Sequence, residues 1–188
     1  ALTKHVGVML ILPLGFEYLR TIGYNWRNIK ANCLWLLLAP LGNVVFSLYC
    51  YYLTGDFFAY ATIQSIGWGH TLTNPLVIII NSLLSNDFYY YSHAIFAILA
   101  IGFLLFSINK IRFSWWIYGL MFAIIPLMSG QKTVYGLLRY ELVVFPFFII
   151  LAKISKDNKE LEELLVICLA LLQGFLMVFW STGSLMVV

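Results

Sequence analysis

Arg139 and Glu141 stand two residues apart in the run Tyr135-Gly-Leu-Leu-Arg-Tyr-Glu-Leu-Val-Val-Phe-Pro146, at the mouth of an otherwise apolar segment. A charged side chain beside hydrocarbon costs a few kcal/mol or more, so its presence there is by default a functional-site hypothesis. A guanidinium can hold an oxyanion through two parallel hydrogen bonds and stays charged in a dry site. The plainer reading is an interfacial Arg snorkelling to headgroups. Glu141 falls on a different helix face from Arg139, so the two do not form an intrahelical pair.

Two other runs carry polar groups in an apolar setting. Leu2-Thr-Lys-His-Val-Gly7 places Lys4 at the start of a segment. Gln64 and Trp68 lie four residues apart in Phe57-Phe-Ala-Tyr-Ala-Thr-Ile-Gln-Ser-Ile-Gly-Trp-Gly69, on one face if that run is helical. Lys132 follows the polar turn Ser129-Gly130-Gln131. His5, His70 and His93 form no metal-ligand spacing, and no metal site is expected. Cys33, Cys50 and Cys168 lack any C-x-x-C pattern and read as buried thiols.

The elements that must position these groups are membrane helices. The chain of 188 residues is 62% hydrophobic and only 10% charged, with mean hydropathy +0.91, against ~25% charged residues in soluble domains. Trp26, Trp115, Trp116 and Trp180 cluster at segment ends, as interface belts require. A net charge of +3 spread over loops argues against nucleic acid as a partner. Spans need about 20 apolar residues. Candidates are residues 5–19, 33–53, 93–109, 113–128, 137–152 and 164–181, so an all-α polytopic transmembrane bundle of about six crossings is expected. Between the second and third lies an external loop region, residues 54–92. Within it Leu76 to Leu84 is too short to span and reads as an interfacial or re-entrant helix.

With the N terminus outside, the cytoplasmic loops hold Arg20, Arg27, Lys30, Lys110, Arg112, Lys153, Lys156 and Lys159. These are eight of the 11 Lys and Arg residues, which satisfies the positive-inside rule over three separate loops. The mixed-charge stretch Lys153–Glu163 reads as a solvated turn. Asp56, Gln64, His70, Asp87, Lys132, Arg139 and Glu141 then fall on or near the external face. Residues 1–6 lack the features of a signal peptide, and the chain reads as the carboxy-terminal transmembrane part of a larger polytopic protein.

In order, these runs resemble the carboxy-terminal half of the GPI mannosyltransferase 2 family and its prokaryotic relatives, which are polytopic GT-C glycosyltransferases. The family's Thr-Arg-x-x-Gly element resembles Thr3-Lys4-His5-Val6-Gly7, with Lys in place of Arg. Its Gly-Asp followed by Gln-x-x-x-Trp resembles Gly55-Asp56 and Gln64 to Trp68, and a later Pro resembles Pro75. Its Arg-Tyr-x-x-x-x-Phe-Pro element resembles Arg139-Tyr140 to Phe145-Pro146. Lys4 keeps the charge of the family's Arg but not its bidentate geometry.

The resemblance implies a GT-C-like, partial fold. It implies transfer of a mannose-like sugar from a polyprenyl- or dolichyl-phosphate donor to a glycolipid or glycan acceptor on the non-cytoplasmic face. The membrane would be the plasma membrane in a prokaryote and the endoplasmic reticulum in a eukaryote. The chemistry would be an inverting displacement through an oxocarbenium-like transition state. It needs a carboxylate base for the acceptor hydroxyl and cations for the departing lipid phosphate. The family's base lies in the first external loop, so the catalytic residue is expected upstream, in a missing amino-terminal half. Arg139 is the expected phosphate ligand, with Lys4 and Lys132 as secondary cations. Gln64 would bond a sugar hydroxyl, with Trp68 packing on the ring or lipid; Trp68 serves equally well as an interfacial anchor. No cofactor is expected beyond the lipid-linked donor. The alternative is a transporter or flippase of a lipid-linked or amphipathic solute, which external polar groups and segments broken around Pro75 and Pro126 would also suit.

Overall fold

The computed structural model describes residues 5–130, 134, 137–141 and 144–183, with side chains described for all of these but 5, 6, 68, 138 and 139. Every regular element among them is helical. A 3-10 segment, His5–Leu10, leads into α1 (Ile11–Thr21). A 3-10 turn, Trp26–Asn28, follows, and a third, Ala31–Leu37, runs directly into α2 (Leu38–Thr54). Then come α3 (Ala59–Trp68), α4 (Pro75–Leu83), α5 (Phe88–Phe106), α6 (Phe113–Met128), α7 (Leu137–Glu141), α8 (Pro146–Ser155) and α9 (Lys159–Ser181).

Local chemistry sets the boundaries. Asn74, Asp87 and Asn158 open α4, α5 and α9 by accepting from the backbone N–H of Leu76 (2.9 Å), Tyr89 (2.9 Å) and Leu161 (3.0 Å). Pro75 sits in the first turn of α4, where its missing N–H has no consequence. Gly55 and Gly69 stop α2 and α3 in the left-handed region, at φ 75° and 67°.

The packed centre is made from small residues. Ser82 of α4, Ala94 and Ala97 of α5, and Ser114, Gly119 and Ala123 of α6 are all buried. Meanwhile Leu, Ile, Phe, Tyr and Trp side chains populate the outer surface. Small residues let backbones approach where no water drives burial, which is the pattern of helix packing in lipid. α5 and α6 form the spine, with α4 on both, α1 and α8 on α6, and α7 against α5 and α6. One cluster joins Ile78, Ala97, Leu127, Val134 and Leu137; the other joins Leu104, Ile111, Ala123 and Ile150. Gly119 is needed for close approach: a Cβ there would stand 2.9 Å from Leu104 Cδ2 and 3.5 Å from Pro146.

Among the described residues three helices are long and apolar enough to cross a membrane: Ala31–Thr54, Phe88–Phe106 and Lys159–Ser181. No part of the apolar windows of the first and last is buried within the molecule. Two helices of that length with no protein cover need a hydrocarbon surround. The chain is therefore an all-α membrane protein.

The six expected crossings are not all there. Candidate 137–152 is broken: Pro146 opens α8, and Val144 N–H turns back to the Glu141 carbonyl at 3.0 Å. That leaves helices of five and ten residues. Candidate 5–19 divides into a 3-10 segment and α1, with Pro13 in the first turn of α1. Candidate 113–128 keeps its bounds, but its 16 residues fall short of a straight crossing. The region 54–92 is mostly helical rather than a loop. α4 is nine residues long, with Ile78 and Ser82 buried and Leu76, Val77 and Ile80 exposed. Lys159–Glu163 belongs to α9, with Lys159 and Glu163 paired at 4.0 Å, so the charged turn is shorter than expected. The thiols are not buried either: Cys33 and Cys50 are half-exposed and Cys168 is exposed, all on apolar helix faces.

Candidate functional site

The two ends of the bundle differ in chemistry. At one end Glu17 of α1 bonds Arg20, lies 3.5 Å from Arg112, and accepts from Ser114 Oγ at 2.7 Å. Lys153 Nζ donates to the Lys110 carbonyl at 2.7 Å. All three cationic stretches of the sequence are thereby gathered at this end. Glu17 was not singled out in the sequence; an acid three residues before Arg20 was the available signal, but its long-range partners were not legible.

At the other end the chain after α3 meets the end of α6, on the way to the run that holds Arg139. Asp56 opens α3: its Oδ1 accepts from Phe58 N–H at 2.8 Å, and Thr62 Oγ1 donates to Oδ2 at 3.4 Å. Gln64 and Trp68 are both in α3, as their spacing required for a shared face. The Gln64 carbonyl accepts from His70 N–H at 3.1 Å and so closes the helix, while its side-chain amide is half-buried and makes no hydrogen bond among the described residues. The chain then runs against the end of α6. Thr71 N–H donates to the Ser129 carbonyl at 3.1 Å, and Thr73 N–H to the Met128 carbonyl at 3.0 Å. Gly130, at φ 107°, packs so closely that a Cβ would lie 3.1 Å from Thr71 Oγ1. This clip fixes the Gln64–Trp68 helix to the turn that leads into α7.

α7 carries Arg139, and it is held by Val134 and Leu137, both buried against Ile78, Ala97 and Leu127. The structure thus joins α3, the Ser129-Gly130 turn and α7 at one end. The side chains of Arg139 and Trp68 lie outside the described part, as do Lys4 and Lys132 entirely. Among the described residues no group of three or more His, Cys, Asp or Glu could hold a metal ion.

Two polar groups that the sequence names, but whose burial it does not reveal, lie in this half. His93 is fully enclosed, one helical turn before Ala97 on the inner face of α5. Its Nδ1 lies 2.7 Å from the Tyr89 carbonyl, which can only accept, so the ring proton is on Nδ1 and Nε2 is a lone-pair acceptor. Nε2 has no partner. Glu141, one turn after Leu137, has Oε1 buried without a hydrogen bond among the described residues. The four-residue spacings His93/Ala97 and Leu137/Glu141 were the signal, but burial required knowing which helices pack. Set against protein-family models, curated proteins and solved structures, the chain matches none of them.

Proposed function

We propose that the chain is part of a membrane glycosyltransferase that moves a sugar from a polyprenyl-phosphate donor to an acceptor at the non-cytoplasmic face. The supporting observation is the clip between Thr71–Thr73 and Met128–Ser129. It brings the Gln64–Trp68 helix beside the entry to the Arg139 helix, at the end of α6 away from the cationic loops. Under this reading Arg139 holds the donor phosphate, with Lys4 and Lys132 adding positive potential. Gln64 offers an unused amide to a sugar hydroxyl, and Trp68 offers an aromatic face. Asp56 is engaged in the turn before α3 by Phe58 N–H and Thr62 Oγ1, and Glu141 lies in α7 with Arg139; the acceptor's base is assigned to the first external loop that the family resemblance places upstream. Lipid-linked donor and glycan or glycolipid acceptor would meet at the bilayer surface.

One observation favours the transporter alternative. The α7–α8 interruption carries Glu141 with a buried, unpartnered carboxyl oxygen, and broken helices with ionisable groups mark solute pathways. Glu141→Gln separates the two. In proteoliposomes of the natural full-length chain, the transferase reading expects sugar transfer to survive this change. Loss of substrate movement across the bilayer, with no transfer in the wild type, would establish the transporter instead.

A further inference from the structure

The connection between α1 and α2 forms a built groove rather than a loose loop. Thr21, Ile22, Arg27, Asn28, Ile29 and Lys30 line a shallow space of about 440 Å³. Its shape is held from outside the groove. Tyr18 Oη accepts from Lys30 N–H at 3.0 Å and donates to Asn32 Oδ1 at 2.9 Å. Asn25 Oδ1 caps the Trp26–Asn28 turn through Arg27 N–H at 3.1 Å. Gly23 and Tyr24 take left-handed backbone, φ 66° and 56°, to reverse the chain.

Charge and depth say what would occupy it. Arg20 and Arg112 share Glu17, Lys153 bonds a carbonyl, and Lys159 faces Glu163. Arg27 and Lys30 form no ion pair or side-chain hydrogen bond among the described residues. Lys30 is the residue immediately before the uncovered apolar helix Ala31–Thr54, so the groove lies where that helix leaves hydrocarbon. Trp26 and Trp35, on either side of Arg27–Lys30 in sequence, are each 71% exposed, as headgroup-level aromatics are. We infer that this groove binds the phosphate of an anionic phospholipid, with Arg27 and Lys30 as its ligands and the tryptophans against the glycerol and upper acyl chain. Basic pockets beside membrane helices recognise anionic headgroups in this way. The inference stands independently of sugar transfer.

The test is native mass spectrometry of the full chain released from detergent with phosphatidylglycerol, phosphatidylcholine or sodium phosphate. One phosphatidylglycerol should remain bound per chain, and neither of the other two should. Arg27→Ala and Lys30→Ala should each weaken retention about fivefold; both side chains are exposed and unpartnered, so neither change threatens the fold. Tyr18→Phe should weaken it with no charge altered, because the groove loses its clamp. Lys156→Ala, an exposed cation at the same end on a plain turn, should leave it unchanged. Retention by the double variant equal to wild type would overturn the site. So would a Lys156→Ala loss matching Arg27→Ala, or an unaffected Tyr18→Phe, since either reduces the effect to general electrostatics. Retention of sodium phosphate as tight as that of the lipid would replace the lipid with a soluble phosphate ligand.

Discussion

Gly130→Ala should break the geometry that holds the two candidate helices together. At φ 107° an L side chain is strained, at about 1–3 kcal/mol. The added Cβ would also sit 3.1 Å from Thr71 Oγ1 and 3.4 Å from the Gly69 carbonyl and Thr71 nitrogen. The Thr71 hydroxyl must give by a few tenths of an ångström, while the strained φ presses the turn to shift against the 69–74 strip. That endangers the Thr71–Ser129 and Thr73–Met128 hydrogen bonds, each worth about 0.5–1.5 kcal/mol. Together these terms amount to about 2–6 kcal/mol if the clip opens. Misplacing a binding group by ~1 Å can cost ~100-fold in rate, so transfer from a polyprenyl-phosphate sugar should fall by one to two orders of magnitude, with a lower melting temperature. Ser129→Ala alters no atom of the clip and should match wild type in both assays. Wild-type transfer and melting by the Gly130→Ala protein would refute the coupling of α3 to α7.

Gly119→Leu should destabilise by about 1–3 kcal/mol, since it fills space held by Leu104 Cδ2 and Pro146; detergent thermal melting reads this, and an unchanged midpoint would show that α6 and α8 do not pack there. Single cysteines at Asn28, Lys110 and Lys156 should be labelled only from the cytoplasm, and those at Gly69, Asp87 and Gln131 only from outside. Membrane-impermeant maleimide on intact cells, in a background without Cys33, Cys50 and Cys168, tests this; external labelling at Lys156 would invert the arrangement. His93→Leu, closer in volume to the imidazole, should cost less than about 1.5 kcal/mol, because Nε2 has no hydrogen-bond partner among the described residues; a larger stability loss on melting would mean that Nε2 has an essential partner.

Composition and apolar run length made the helical membrane class legible, while the caps at Asn74, Asp87 and Asn158 that open α4, α5 and α9 were not read from the sequence. Run length alone misjudged the crossings. It does not register that Pro146 divides a 16-residue apolar stretch, although it did mark Leu76–Leu84 as too short to span. Cysteine burial failed for a related reason: in lipid, the outward face of a helix is apolar too, so hydrophobic surroundings do not imply an interior position. The helical spacing of Gln64 and Trp68 was readable. The clip that joins them to Ser129 was not, because it uses backbone groups from positions nearly 60 residues apart, and backbone groups leave no trace in residue type. His93 and Glu141 were visible as residues but not as buried groups, which depends on packing between α5, α6 and α7.

The most direct measurement is transfer of labelled sugar from a polyprenyl-phosphate donor by membranes carrying the natural full-length chain, normalised to inserted protein, for wild type, Arg139→Lys and Arg139→Ala. A phosphate-holding guanidinium predicts substantial loss for Lys, which keeps the charge without the planar fork, and a larger loss for Ala of about 2–5 kcal/mol in transition-state binding. Both variants should insert at wild-type abundance, because removing or simplifying a charge near hydrocarbon relieves a cost. Wild-type turnover by Arg139→Ala, or no transfer by the wild-type protein from any polyprenyl-phosphate sugar, would contradict the assignment.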